Sequence, residues 1–153
     1  MLSTGKDIVS GVYSNYFVSS GKLKILPVAW MQIGDREFEK IKAKVPGIKS
    51  REEIRRHMTS EEYESNRLIE VLFASAGCML ISKNVFEDIR YGLIDMEKEY
   101  GKQLKTTDDI YFFNEARKKG FKIFCHTKLK CDHLVSGKYL QDGNGNLVRK
   151  DIA

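Results

Sequence analysis

The chain reads as an α/β domain, a mixed β-sheet flanked by helices, and three stretches carry that reading. Asp7-Ile8-Val9-Ser10-Gly11-Val12-Tyr13 gathers β-branched residues around one glycine, which is strand chemistry. Leu68 to Ile81 is apolar but broken by small residues at Ala76-Gly77, so it divides into two short strands and does not form one helix. Thr107 to Lys119 sets Ile110, Phe113 and Ala116 at helical spacing. Gly120 follows as a C-terminal cap, and Phe121-Lys122-Ile123-Phe124-Cys125 as another strand. A chain of 153 residues with these elements predicts a single domain.

The remaining elements follow in order. Leu23 to Met31 reads as a second strand, which Pro27 places at an edge or a bulge, and with the first strand it predicts a hairpin. Between Gly34 and Asn66 the pattern turns charged and loses its period. Only Thr59-Ser60-Glu61-Glu62 resembles a helix start, and residues 35–66 are expected to be a variable insertion. Lys83 to Tyr91 carries Val85, Phe86 and Ile89 at the spacing of a short helix packed on a sheet. In the helix from Thr107, the threonine cap and first-turn Asp108 and Asp109 suit the positive end of the helix dipole, as Lys118-Lys119 suit the negative end. Residues 138–153 form a tail with a turn at Asp142-Gly143-Asn144-Gly145-Asn146.

Composition excludes several classes. Hydrophobic residues make up 42% of the chain, enough for a core, while 31% charged residues and no apolar run of membrane length predict no membrane span. Met1 to Asp7 lacks a signal peptide's apolar stretch, and three cysteines without metal-ligand spacing fit a reducing, cytoplasmic setting. The net charge of +5 comes from lysines and arginines interleaved with acids. That pattern describes a solvated surface and predicts no nucleic-acid partner.

The residues that carry chemistry lie late in the chain. Asp108-Asp109 puts two adjacent carboxylates in a helix's first turn, either as proton acceptors or as helix capping. Cys131-Asp132-His133 closes the following strand, and His133 there is either a metal ligand or a surface histidine. His57 and His126 have no supporting context, and Cys78, Cys125 and Cys131 look like small buried residues.

At these positions the chain resembles the C-terminal, acceptor-side half of GT-A fold glycosyltransferases, in particular the family 2-like, inverting nucleotide-sugar-dependent enzymes. Three segments carry the likeness: Lys6 to Tyr13, Ala76 to Phe86, and Asp108-Asp109-Ile110-Tyr111-Phe112 through Lys119-Gly120-Phe121 to Asp132-His133. It spans most of residues 6 to 140 and leaves 35 to 66 unmatched. The resemblance implies transfer of a sugar from a nucleotide-sugar donor to an acceptor hydroxyl. Asp109 would stand as catalytic base, and Asp108 where the family writes glutamate. It further implies a divalent cation, Mn2+ or Mg2+, to neutralise the leaving diphosphate, with His133 as its ligand and Asp132 as a weaker one. Lys138 and Arg149 could neutralise the diphosphate as well. Gly77 either lets two strands kink or lets a sugar approach the backbone, and Tyr13 and Trp30 either stack on a sugar ring or belong to the core.

In such enzymes an N-terminal βαβ portion ending in an Asp-x-Asp motif precedes the segment that Lys6 to Tyr13 resembles. The expectation is therefore that this chain is part of a catalytic domain, binding sugar nucleotide poorly without a nucleotide-binding half. The alternative is a non-catalytic carbohydrate- or protein-interaction module derived from such an enzyme.

Overall fold

All five residues of the first strand, β1 (Ile8–Val12), are buried, which requires neighbours on both edges and cover on both faces. The computed structural model describes residues 4–19, 22–51, 54–92, 108–131, 138–141 and 147–150, with backbone alone at 16–19, 22–23, 138–141 and 147–150. After β1 come β2 (Ser14–Ser19), β3 (Lys22–Pro27), β4 (Trp30–Gln32), α1 (Asp35–Lys42), β5 (Arg55–His57) and α2 (Ser60–Glu64). Then follow β6 (Leu68–Val71), β7 (Met79–Ile81), α3 (Lys83–Asp88), α4 (Asp108–Lys118), β8 (Ile123–Lys130), β9 (Lys138–Gln141) and β10 (Leu147–Lys150).

The central sheet is mixed, in the order β6-β8-β1-β7. β1 runs parallel to β8 and antiparallel to β7, and β6 runs antiparallel to β8. The pairing of β1 with β8 slips between Ser10 and Val12, a bulge that bends the sheet at Gly11. The expected α/β class and mixed sheet are thus present, as is the division of residues 68–81 into two strands. Of the expected helices, Lys83 to Tyr91 stops at Asp88, where Ile89 turns extended, and Thr107 to Lys119 is described from Asp108 to Lys118, its threonine cap lying outside the described residues.

The expected hairpin is different. β1 does not pair with the Leu23 to Met31 stretch. The hairpin instead joins β2 to β3, from Ser14↔Pro27 to Ser19↔Lys22, and β1 goes to the sheet centre, where its apolar residues are covered on both sides. The stretch from Leu23 to Met31 is also two strands. β3 ends at Pro27, which has no N–H to give a ladder, and β4 resumes at Trp30 to pair with β5. In the charged segment, α1 buries no residue, whereas Met58 beyond β5 is 3% exposed and joins the core. The helix start at Thr59 is a full capping box: its hydroxyl accepts from the Glu62 N–H at 3.2 Å, and the Glu62 carboxylate accepts from the Thr59 N–H at 2.8 Å.

α4 supplies the largest apolar block. Phe112, Phe113 and Ala116 are buried against Ile8, Val12, Val85 and Ile123. Each phenylalanine contributes roughly 1.5–3 kcal/mol through that burial. The helix stops as its sequence predicts. Gly120 takes φ +86°, its N–H reaches the Arg117 carbonyl at 3.0 Å, and the Phe121 N–H reaches Ala116 at 3.0 Å, which is the Schellman arrangement. No helix among the described residues is long and apolar enough to cross a membrane.

Candidate functional site

Because β1 and β8 are parallel, both end at the same rim of the sheet, and α4, which turns through Gly120 into β8, begins at that rim. Tyr13 follows β1 there, Cys131 follows β8, and Asp108 and Asp109 open α4. The loop from Leu72 to Cys78 is held against β1 from below. Ser10 Oγ lies 2.6 Å from the Ser75 carbonyl and 2.6 Å from its neighbour Gly11's carbonyl, while Ser75 Oγ donates to the Gly11 carbonyl at 2.9 Å. Both serines are fully buried, so this network is costly to break and fixes where Gly77 emerges.

Gly77 then meets the Tyr13 ring. A Cβ at position 77 would stand 3.1 Å from Tyr13 Cε1, so the ring lies directly on the glycine backbone. The carboxylate of Asp109 acts on the same tyrosine. Burial first, and the Asp109 charge second, push the Tyr13 phenol above its ordinary value, so it stays a proton donor at neutral pH. Tyr13 thus links two other expected site residues from distant parts of the chain, packing on Gly77 and feeling the charge of Asp109.

Both carboxylates are oriented by their own helix turn. Asp108 Oδ1 accepts the Asp109 N–H at 3.0 Å, and Asp109 Oδ1 accepts the Ile110 N–H at 2.8 Å. Asp108 is exposed and Asp109 half-buried. Helix capping and site formation are thus compatible, since one oxygen of each carboxylate serves the first turn.

One residue of this site escaped the sequence reading. Tyr91 stacks on Phe112 with ring centres 4.6 Å apart and planes at 14°, and its hydroxyl is pushed up by burial, then by Asp108 and Asp109. Behind it Gly92 passes so close to Tyr111 that a Cβ would stand 2.9 Å from the ring. The only available signal was an aromatic residue followed by glycine just after an amphipathic helix, which is too common to single out.

Other expectations fall elsewhere. Trp30 sits in β4 against His57, ring centres 5.2 Å apart, and packs on the core. Cys125 is buried, and burial, with the nearby Cys131 second, pushes its thiol up to about 12. Cys78 and Cys131 flank Gly11, each sulfur 3.1 Å from where a Cβ would be. Asp132 and His133 lie outside the described residues, and of Lys138 and Arg149 only the backbone, in β9 and β10, is described. Among the described residues no group of three or more His, Cys, Asp or Glu gathers that could hold a metal ion.

Comparison of the chain with known protein families finds no family that matches, and comparison with curated proteins finds no match either.

Proposed function

We propose that this chain is the acceptor-side part of a nucleotide-sugar-dependent glycosyltransferase, with Asp109 as the base. The observation that carries the reading is Tyr13, whose ring lies against the Gly77 backbone and whose phenol feels the Asp109 charge. An aromatic face beside a residue without a side chain forms a wall on which a sugar ring can lie. A carboxylate beside that wall can take a proton from a hydroxyl on the bound sugar.

In the proposed reaction the acceptor oxygen attacks the donor's anomeric carbon. The bond from that carbon to the diphosphate oxygen breaks, the diphosphate leaves with the electron pair, and the hydroxyl proton passes to Asp109. Inversion at the anomeric carbon belongs to the proposal as a single displacement. Tyr13, holding its phenol proton, can donate a hydrogen bond to the acceptor and keep it over Gly77. A divalent cation held through His133 would neutralise the departing diphosphate.

The donor nucleotide would be held by a further unit. Among the described residues β7 is one edge of the central sheet, and an edge strand offers backbone groups to which such a unit can add. With such a unit and a donor present, Asp109→Asn is expected to abolish transfer while leaving folding intact. Retained turnover would remove Asp109 as base. For the chain alone, calorimetric titration with sugar nucleotides should give weak binding, and tight manganese-dependent binding would contradict the division of labour.

The second reading is a non-catalytic carbohydrate-recognition module, favoured by the Tyr13 and Gly77 wall, which serves binding without chemistry. Saturation-transfer NMR with a saccharide panel tests the binding that both share, and a turnover assay separates them. Under both readings Tyr13→Ala loses saccharide contact, but only under the first does Asp109→Asn cost turnover.

A further inference from the structure

The opposite rim of the sheet holds a cavity of about 440 Å3 with a different chemistry. It lies where β6 ends and β8 begins, at the paired residues Val71 and Ile123, and beneath the last turn of α4. Three cations, Arg51, Arg117 and Lys122, face it against one carboxylate, Glu70. Val71, Leu72, Phe121 and Ile123 supply apolar wall. The volume falls within the roughly 300–1,000 Å3 typical of small-molecule sites.

Arg117 is the distinctive member. No carboxylate among the described residues pairs with it, and its guanidinium instead stacks toward the Phe73 ring at 5.9 Å, a ring that Arg55 also approaches at 4.9 Å. Phe73 is nearly buried, so a guanidinium held near it is restricted before any anion arrives. The other two cations hold partners that are easily exchanged. Arg51 pairs at 2.7 Å with Asp35, which is 90% exposed, and Lys122 pairs at 2.9 Å with Glu70, where both groups are more than half exposed. Such pairs are worth about 0–1 kcal/mol and yield to a better anion.

We infer that this cavity binds a phosphomonoester, the dianion on Arg117 with Arg51 and Lys122 beside it and the organic group against Phe121 and Ile123. A dianion matches the excess of two positive charges in the lining, and a guanidinium fork matches two phosphate oxygens. A single cleft of this size favours a small molecule over a nucleic-acid backbone, which needs an extended track. The site goes beyond the transfer reading and does not depend on it, because it lies at the other end of α4 from Asp109 and its readout is binding alone.

The test is calorimetric titration of the chain with phenyl phosphate, with phenyl sulfate as the monoanionic comparison. Saturable one-to-one binding of the phosphate is expected, at least tenfold tighter than of the sulfate. Arg117→Gln should weaken it tenfold or more and Arg51→Gln about threefold, while Lys83→Gln, an equal loss of charge on the exposed side of α3, leaves it unchanged. Arg117→Lys, which keeps the charge and loses the fork, should weaken binding and covers the case in which Arg117→Gln does not fold. Absence of saturation, equal weakening by Lys83→Gln, or unchanged affinity in the arginine variants that fold would overturn the inference.

Discussion

The two ends of α4 look alike in sequence and differ in what surrounds them. Asp108 and Asp109 at its start, and Arg117 and Lys118 at its end, are each the charges that a helix dipole favours. Lys118 is spent on Glu115 at 2.7 Å, an ordinary pair on the helix surface. The Asp109 charge instead acts on Tyr13 from another element, and Arg117 lines a cavity with residues of β6, β8 and the loop before β8. A charge that the helix itself explains becomes a candidate site only when the sheet brings foreign groups to it. The acid end meets an aromatic wall and the basic end meets an anion-sized space, so one helix of eleven residues separates two chemistries by about 15 Å.

The comparison breaks most decisively at Asp109. In a complete transfer system Asp109→Asn should cost 10²–10⁴-fold in kcat, the range for a positioned general base, with Tm unchanged within about 1 °C. A comparable loss of turnover from Asp108→Asn would instead make the pair act together.

Next in size is the packing that joins the two ends. Phe112 is fully buried and touches Tyr91, Phe86 and Phe113, so Phe112→Ala should destabilise by about 3–5 kcal/mol in urea unfolding. A loss under 1 kcal/mol would mean that α4 does not anchor the sheet.

Gly11 sharpens the acid rim. A Cβ there would stand 2.9 Å from the Leu129 carbonyl and 3.1 Å from the sulfurs of Cys78 and Cys131, so Gly11→Ala should cost about 1–3 kcal/mol by forcing strands apart. Gly77→Ala meets only the edge of the Tyr13 ring, which can tilt, and should cost less than about 1 kcal/mol while weakening saccharide binding. Denaturant midpoints and NMR titration measure the two effects, and equal destabilisation would deny the distinction between framework and wall.

The smallest effect concerns acid. Arg56 and then the Thr59 cap lower the Glu62 carboxyl to about 2 from its usual 4.5, with burial opposing. Its folded value is depressed, so the stability it adds is present above about pH 4.5 and fades as pH falls toward 2. Glu62→Gln should remove about 1 kcal/mol at pH 7 and flatten the acid limb of a Tm-against-pH curve between those values. An unchanged curve would mean that the Arg56 pair adds nothing.

Much of the fold was legible where local chemistry decides it. Thr59 with Glu62, Gly120 after Lys118-Lys119, and the break at Ala76-Gly77 each determine a backbone event through their own atoms, and each occurs where the residues place it. The hairpin partner was not legible, because Ile8 to Val12 and Leu23 to Met31 are both good strands and nothing in either names its neighbour. Tyr91 was missed for the same reason: its place beside Phe112 and the aspartates comes from the return of the chain and not from its own spacing.

The residues alone determined the helix that carries Asp109, its direction, its two charged ends and the strand that follows, since capping, dipole and periodicity act within one or two turns. Only the tertiary arrangement decided that β1 lies beside β8, because strand pairing is chosen by the total burial of the sheet. That choice brings Tyr13, with Gly77 against its ring, within reach of the Asp109 charge and leaves Arg117 at the far rim over an open cavity.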